Sequence, residues 1–556
     1  MPEDTQGSRS PQPKGWSWRD RARGSVISAA VLDPGSEPLD GIEAFQTAYV
    51  PHRLLISIPP GDDDLEREEG AYARVRTAAR AFGWDAVLRR VDGSELAERE
   101  VPAQRVPGAP RTLRVELVAP DETARRVSPA LPDAWRVLQR VRRAALEGSA
   151  DPAETGVALR KAGVDRIGLD HILTVDPIGV NPFMKTNPFM KTNPFMKTNP
   201  FMKTNPFMKT NPADEYGAYG SGGRQPVAWV GAAPAHPDIP DGRRRPVVAV
   251  LDTGAGVHAW LPDDIVDRRV TVDGRVIGLD DDANPEIYPD LYGPLDGQLD
   301  DVAGHGTFIA GIIRQAAPAA EILAVRVADA HGIVEESNLL AVLDDLSVLA
   351  YRARHGEDGG RWIDVLNLSL GYYHETPLDG LYTRDLYDIL AVFRRLGTTV
   401  VVSAGNDAID RPTFPASLWP WPGADNGIVD DGAAPHVSVG ALNPDRRTTA
   451  LFSNVGPWVR TYATGAAVVS TIPDFYGGVQ ASARDDEYDR DRLTIGPEDF
   501  RGGFALWSGT SFAAPLVAGR IAAALGDDGW LPAEPGDPGI DASQTAATSV
   551  LADGDR

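Results

Sequence analysis

The chain contains no cysteine, which excludes a disulfide framework, a thiolate metal site and a cysteine nucleophile for all of its 556 residues. It also lacks any apolar run approaching the roughly 20 residues that span a bilayer. The N-terminal stretch Val26-Ile27-Ser28-Ala29-Ala30-Val31-Leu32 follows Arg19, Arg21 and Arg23. It is short for a signal peptide, and Asp33-Pro34 stands where a cleavage site would need small residues. No leader and no membrane association are expected, and a cytoplasmic setting is the default. Basic charge is scarce in the second half. Residues 213–556 carry 51 acidic against 25 basic side chains, a balance of −26 that accounts for the whole net charge of −24. Such a surface repels phosphate backbones, so nucleic acid is not an expected partner. Methionine and lysine are scarce outside one segment, Asn-Pro-Phe-Met-Lys-Thr, which runs five times without error from Asn181 to Thr210.

Proline at every sixth position forbids a continuous helix or central strand there. Identical copies suit a duplicated linker better than a docking array of Phe and Met anchors. Around the repeats the chain divides into five parts. Residues 1–50 are polar and rich in Pro and Gly, and disorder is expected. Residues 51–150 read as a small α+β domain, with strands at Leu54–Ile58, Val87–Val91 and Leu113–Val118 and helices at Leu65–Phe82 and Ala134–Leu146. Residues 151–223 read as linker, and residues 528–556 as an acidic C-terminal tail. Within residues 224–527, apolar runs alternate with helical segments. The runs are Val247–Leu251, Ile322–Val327, Val365–Leu370 and Thr399–Val402; the helices are His305–Gln315, Asn338–Arg354 and Leu378–Leu396. This pattern predicts an α/β fold, a mostly parallel sheet with helices on both faces, whose ligands bind beyond the carboxyl ends of the strands.

Residues at such strand ends and helix starts carry the chemistry. Asp252 follows the first strand, His305 stands in Gly304-His305-Gly306-Thr307, and Ser511 stands in Ser508-Gly509-Thr510-Ser511-Phe512-Ala513-Ala514-Pro515. Alone, each has an ordinary reading as a turn or cap residue. Together they have another. A serine hydroxyl becomes a nucleophile when an imidazole takes its proton, and a carboxylate fixes the imidazole's tautomer. The order Asp, His, Ser differs from the orders of the chymotrypsin and α/β-hydrolase arrangements. Asn406, after Val400-Val401-Val402-Ser403-Ala404-Gly405, offers an amide to a developing oxyanion. Pro515 has no N–H for the Ser511 carbonyl, so the first turn of that helix should be distorted.

Ala249-Val250-Leu251-Asp252-Thr253-Gly254, Gly304-His305-Gly306-Thr307 and Gly509-Thr510-Ser511-Phe512-Ala513-Ala514-Pro515 resemble the three signature segments of the subtilisin-like serine proteases, the subtilases. The resemblance covers about residues 224–527. It implies Asp252, His305 and Ser511 as catalytic triad, Asn406 as oxyanion donor, and Ser369, Leu370 and Gly371 as the strand that pairs with substrate backbone. Pro412–Ala416, Val437–Ala441 and Phe452–Gly456 resemble further segments of the family. The related sedolisins replace the histidine by Glu and the asparagine by Asp, so His305 and Asn406 speak against that branch. Phe308 departs from the pattern, standing where many subtilases have His.

The implied function is a serine endopeptidase acting on peptide or protein substrates, with no required cofactor. Structural calcium is the metal the family allows, and Asp280-Asp281-Asp282 and Asp300-Asp301 lie in a long interval between Asp252 and His305. That interval also reads as a solvated acidic insertion, since it shows no fixed ligand spacing. A second polar insertion spans Arg484 to Arg492. Residues 51–150 have the size of a subtilase propeptide, yet some 70 residues separate them from the peptidase. An adaptor domain that recruits one partner to a dedicated maturation or signalling protease is the alternative. A catalytically silent binding scaffold is the rival of another class.

Overall fold

Leu54, Ile56 and Ile58 are alternate residues, as are Leu113, Val115 and Leu117; all six are buried and supply one face of a small antiparallel sheet. The computed structural model describes residues 12–552 apart from 176–215, 217–222 and shorter breaks, the longest being 120–130, 148–154 and 377–383. In its N-terminal domain the elements run β1 (Ala48–Ile58), α1 (Ala71–Ala81), β2 (Asp85–Arg90), β3 (Arg111–Val118), α2 (Ala134–Ala145) and β4 (Ile167–Thr174). The strands pair antiparallel in the order β4-β1-β3-β2. This β-α-β-β-α-β arrangement puts both helices over one apolar face, where Leu54, Ile56, Val75, Leu113, Val115, Trp135 and Leu138 form the core. At the start of α2, the Asp133 carboxylate accepts the Trp135 N–H at 3.0 Å and so caps the helix.

The structure differs from the sequence expectation at both ends of this domain. Residues 155–175 are not linker: a short helix, Thr155–Lys161, and β4 complete the sheet. All eight residues of β4 are buried, polar Asp170 and His171 included, so the alternation that would have signalled a strand is missing. Upstream, residues 30–31 pair with β1, and Leu32 is buried in the domain core. The short helix Trp18–Gly24 sets the Arg21 guanidinium against Asp290 Oδ1 at 2.7 Å. The repeats lie outside the described residues.

The peptidase half is built on β5 (Val247–Asp252), β6 (Val266–Asp267), β7 (Glu321–Arg326), β8 (Ile333–Glu335), β9 (Val365–Leu368), β10 (Thr399–Ser403), β11 (His436–Leu442) and β12 (Thr461–Thr464). All but β8 form a seven-stranded parallel sheet in the order β12-β11-β10-β9-β5-β7-β6. Four helices cover it: α3 (His305–Ala316), α4 (Glu336–His355), α5 (Asp385–Arg395) and α6 (Thr510–Ala524). Successive side chains of β5 point to opposite faces. Val248 and Val250 join the cluster with Phe308, Ile309 and Val517 of α3 and α6. Ala249 and Leu251 join Leu343, Leu346 and Phe393 of α4 and α5. Each fully buried Val or Leu contributes roughly 1.5–3 kcal/mol, so burial on both faces, rather than alternation, explains the continuous apolar runs.

The C-terminal segment is not a tail throughout. Helix α7 (Ile540–Ala552) buries Ala546 and Ala547 in the cluster that holds α6, and Ser543 Oγ donates to the Gly397 carbonyl at 2.6 Å. The Arg484–Arg492 insertion forms an exposed hairpin, Arg484–Glu487 with Arg490–Leu493, turning through Tyr488 and Asp489 at positive φ.

Candidate active site

Asp252 ends β5, and its loop meets the start of α3, which His305 opens. The two chain segments touch there. A Cβ on Gly306 would lie 2.0 Å from the Gly254 carbonyl, so no larger residue fits between them. This close approach sets His305 Nδ1 at 2.7 Å from Asp252 Oδ1, with both side chains fully buried. Asp252 Oδ1 also accepts the Thr253 N–H at 2.8 Å. A carboxylate so placed holds the imidazole with its proton on Nδ1 and leaves Nε2 as the base. Among the described residues His305 Nε2 has no hydrogen-bond partner, and none joins it to Ser511 Oγ. Such bonds are often unmade until substrate arrives. The His305 ring packs on Phe512 and Trp507, centroids 5.2 and 5.6 Å away.

Ser511 lies in the first turn of α6, and Pro515 follows within that helix. The carbonyl that Pro515 leaves unpaired is not orphaned: Ser369 Oγ donates to Ser511 O at 3.0 Å and accepts from Asn367 Nδ2 at 3.0 Å. The Ser369 side chain, expected beside substrate, thus supports the Ser511 backbone, while Ser369, Leu370 and Gly371 together line the cleft that holds Ser511. Asn406 reaches the same cleft from the loop after β10. Its Oδ1 accepts from Thr510 N at 2.8 Å and Thr510 Oγ1 at 2.9 Å, which ties the amide to the start of α6. Asn454, within the Phe452–Gly456 segment, secures that loop from beneath. Its Nδ2 donates to the Ala404 carbonyl at 2.9 Å, and its Oδ1 accepts from Asp407 and Ile409 N–H, each at 3.2 Å. Gly405, at φ +102°, leaves no room for a Cβ, which would sit 2.5 Å from Asn454 Nδ2.

Residues 243–544 match the model of the subtilase family. The chain belongs to that family. It is 30% identical over 303 residues, 52% of this chain and 55% of that protein, to the thermophilic serine proteinase of Bacillus sp. (strain AK1). It is 28% identical over 288 residues, 50% of this chain and 65% of that protein, to the intracellular serine protease of Paenibacillus polymyxa. The matches thus span about half to two thirds of these relatives' length. A solved cold-adapted subtilisin-like serine proteinase aligns with 50% of this chain and 73% of its own, at 23% identity and a TM-score of 0.30.

In this subtilase Phe308 is buried behind His305, its ring 4.5 Å from Phe512 and 5.7 Å from Trp507, so the departure from the family's histidine completes an aromatic wall. Among the described residues the acidic insertion gathers no group of three carboxylates around one point for calcium. Asp280 pairs with Arg269 and Asp281 with Arg326. Oxygens that do converge surround guanidinium groups. Arg21 takes the carbonyls of Asp290 and Tyr292 with the Asp290 carboxylate, and Arg224 takes those of Leu299, Asp300, Asp301 and Ala303. The insertion therefore does not fit a calcium ion in the form described.

Residues that sequence reasoning missed come from the N-terminal domain. β4 pairs antiparallel with β8, so the two halves share a sheet edge. Thr174 and Gly371 then exchange both backbone bonds at 3.1 Å, and Val175 N–H donates to the Gly332 carbonyl at 2.9 Å. Ile172 and Thr174 line the Ser511 cleft together with Val31, Thr47 and Ala48. Beside this junction His171 is clamped between two carboxylates of the peptidase half, Nδ1 2.6 Å from Glu336 and Nε2 2.8 Å from Glu375. Burial opposes its charge, yet the two carboxylates raise its pKa to about 10, and Arg142 balances Glu375 at 3.5 Å. Asp170 in turn accepts from Ser337 N and Oγ, each at 2.9 Å, near the start of α4.

Proposed function

We propose that this subtilase is a serine endopeptidase working through Asp252, His305 and Ser511. The observation that carries the reading is the buried 2.7 Å bond from His305 Nδ1 to Asp252, which leaves Nε2 as the ring's other nitrogen, without a hydrogen-bond partner among the described residues. His305 Nε2 takes the Ser511 Oγ proton as Oγ attacks a peptide carbonyl, and Asp252 stabilises the imidazolium. Asn406 and a backbone N–H at the start of α6 donate to the oxyanion. His305 returns its proton to the leaving amine as the C–N bond breaks. It then deprotonates a water that hydrolyses the acyl-enzyme. The chemistry uses groups of the chain and one water, and no cofactor is proposed.

The N-terminal domain is proposed as an inhibitory propeptide rather than an adaptor. Support comes from Thr174 and Val175, whose backbone bonds to Gly371 and Gly332 fill the strand position that substrate would take. A cytoplasmic setting is part of the proposal, in line with the relative named an intracellular serine protease; cell fractionation tests it.

The test is N-terminal sequencing, fluorophosphonate labelling and casein cleavage for wild type and Ser511→Ala. Wild type should process itself upstream of Arg224, take up the label and cleave casein, and Ser511→Ala should do none of these. Equal casein cleavage in the two proteins refutes the protease assignment. Labelling of wild type as fast with residues 1–175 intact as after their removal refutes the inhibitory role. If removing residues 1–223 abolishes cleavage of one cellular protein but not of casein, the adaptor reading returns. No labelling by any serine-directed probe would favour the binding scaffold.

A further inference from the structure

We propose that Glu286 is a positioning residue for the Asp252–His305 pair: its carboxylate decides where the Thr253 hydroxyl proton goes, and so how Asp252 is shared with His305. The inference rests on the protease reading of the triad.

Glu286 belongs to the acidic insertion, yet it is 2% exposed and lies behind both signature loops. Its Oε1 accepts from Thr253 Oγ1 at 2.5 Å and from Gly306 N at 2.9 Å. Its Oε2 accepts from Thr307 Oγ1 and, at 3.3 Å, from Thr307 N. One carboxylate thus fastens the residue after Asp252 to the two residues after His305.

Counting protons gives the device. Thr253 Oγ1 receives the Gly306 N–H at 2.8 Å, so its own single proton must be donated. Two acceptors compete for it, Glu286 Oε1 at 2.5 Å and Asp252 Oδ1 at 3.1 Å. Thr307 Oγ1 likewise receives the Gly256 N–H at 2.6 Å and gives its proton to Glu286. While Glu286 is ionised it draws the Thr253 proton, and Asp252 Oδ1 keeps only Thr253 N–H and His305 as donors. A carboxylate with fewer donors holds the imidazolium more strongly. When Glu286 carries a proton on Oε1 it donates to Thr253 Oγ1, and the Thr253 proton turns to Asp252.

The charged groups around Glu286 are Asp252 at the end of β5, His305 on α3, Arg268 after β6 and Arg326 at the end of β7. Arg268 is bound to Asp263 and the carbonyls of Gly256 and Leu261, and Arg326 to Asp281, so neither forms an ion pair with Glu286. Burial first, and the Asp252 charge with it, raises the Glu286 pKa to about 6 against the pull of its hydrogen bonds. The carboxylate is therefore ionised at neutral pH and lost just below it.

The experiment measures kcat and KM on a peptide amide from pH 5 to 9 for wild type, Glu286→Gln and Glu286→Ala. The His305 ring titration is followed by NMR in the Ser511→Ala background with and without Glu286→Gln. Glu286→Gln should lower kcat at pH 8 by roughly 3- to 10-fold with KM within about twofold, the loss of one well-placed hydrogen-bond effect. The acid limb of kcat/KM, and the ring titration with it, should move down by roughly half to one pH unit. A part that is only structural predicts instead a lower Tm with an unmoved limb. Glu286→Ala should lose stability as well, whereas Gln with its Nε2 towards Thr253 keeps its carbonyl for Thr307 and gives up only the Gly306 bond, that N–H still having Thr253 Oγ1. In a Thr253→Val background, which has no hydroxyl proton to redirect, Glu286→Gln should no longer move the ring titration. Unchanged kcat and an unchanged titration in Glu286→Gln overturn the proposal, as does a full shift that persists in the Thr253→Val background. The ring titration needs no turnover, so a wild type without Ser511-dependent hydrolysis would sink the protease reading while this measurement still judged Glu286.

Discussion

Replacing Ser369 by alanine tests how the Ser511 helix tolerates a proline one turn in. The hydroxyl is fully buried; it donates to the Ser511 carbonyl and accepts from Asn367 Nδ2, each at 3.0 Å. Its removal strands a buried acceptor and a buried donor. At about 1–3 kcal/mol for each buried polar group left unpaired, Ser369→Ala should cost about 2–6 kcal/mol. For a domain of this size that lowers Tm by roughly 3–10 °C. The catalytic turn moves with it, and small displacements at a reacting centre reach about 100-fold in rate, so kcat should fall about 10- to 100-fold. Stability is measured by thermal unfolding in the Ser511→Ala background, which prevents self-digestion. The decisive arm adds Pro515→Ala. An N–H at position 515 restores the bond to the Ser511 carbonyl that proline denies it. Ser369→Ala should then cost about 1–2 kcal/mol less than it does beside Pro515, a coupling well above the scatter of independent sites. If the two substitutions are additive within about 0.5 kcal/mol, Ser369 does not stand in for the missing N–H and the reasoning fails.

Asn406→Ala should lower kcat by about 100- to 1,000-fold with KM little changed, the range known for one oxyanion donor, and steady-state kinetics on a peptide amide reads it. Asp252→Asn should lower kcat near neutral pH by about 10,000-fold, because the amide favours the wrong imidazole tautomer; a loss under about tenfold would remove Asp252 from the triad. His171 is protonated when docked between Glu336 and Glu375, its pKa raised from the ordinary 6.5 to about 10. Its contribution to domain docking is therefore complete below about pH 6.5 and lost as pH rises towards 10. Thermal unfolding of Ser511→Ala from pH 6 to 10 should show that decline, and His171→Gln should flatten it; the same slope in both proteins would refute the assignment. A chelator should leave Tm unchanged, since guanidinium groups fill the oxygen clusters of the acidic insertion; a fall reversed by calcium would show that the ion binds.

Much of the site was legible because its residues fall in short motifs whose chemistry needs particular side chains. Asp252, His305, Ser511 and Asn406 lie at strand ends and helix starts, where an α/β sheet gathers its functional groups. The parallel sheet was legible too, since continuous apolar runs between helical segments admit few other folds. β4 was not. Asp170 and His171 inside a buried strand read as loop residues until Ser337, Glu336 and Glu375 are seen beside them. Helix α7 was hidden by its small side chains, which bury little area each and mark a core face weakly.

The sequence by itself determined which side chains this subtilase has available: no cysteine, one ordered set of Asp, His and Ser in short motifs, and a proline that denies the Ser511 carbonyl its helical partner. It determined the sheet as well, because a run of apolar residues carries its own burial. Tertiary structure alone decided the partners. Ser369 meeting Ser511, Glu286 meeting Thr253 and Thr307, and Thr174 meeting Gly371 join residues far apart in the chain. Hydrogen bonds and ion pairs of this kind depend on distances of about 3 Å, which no local pattern of residues encodes.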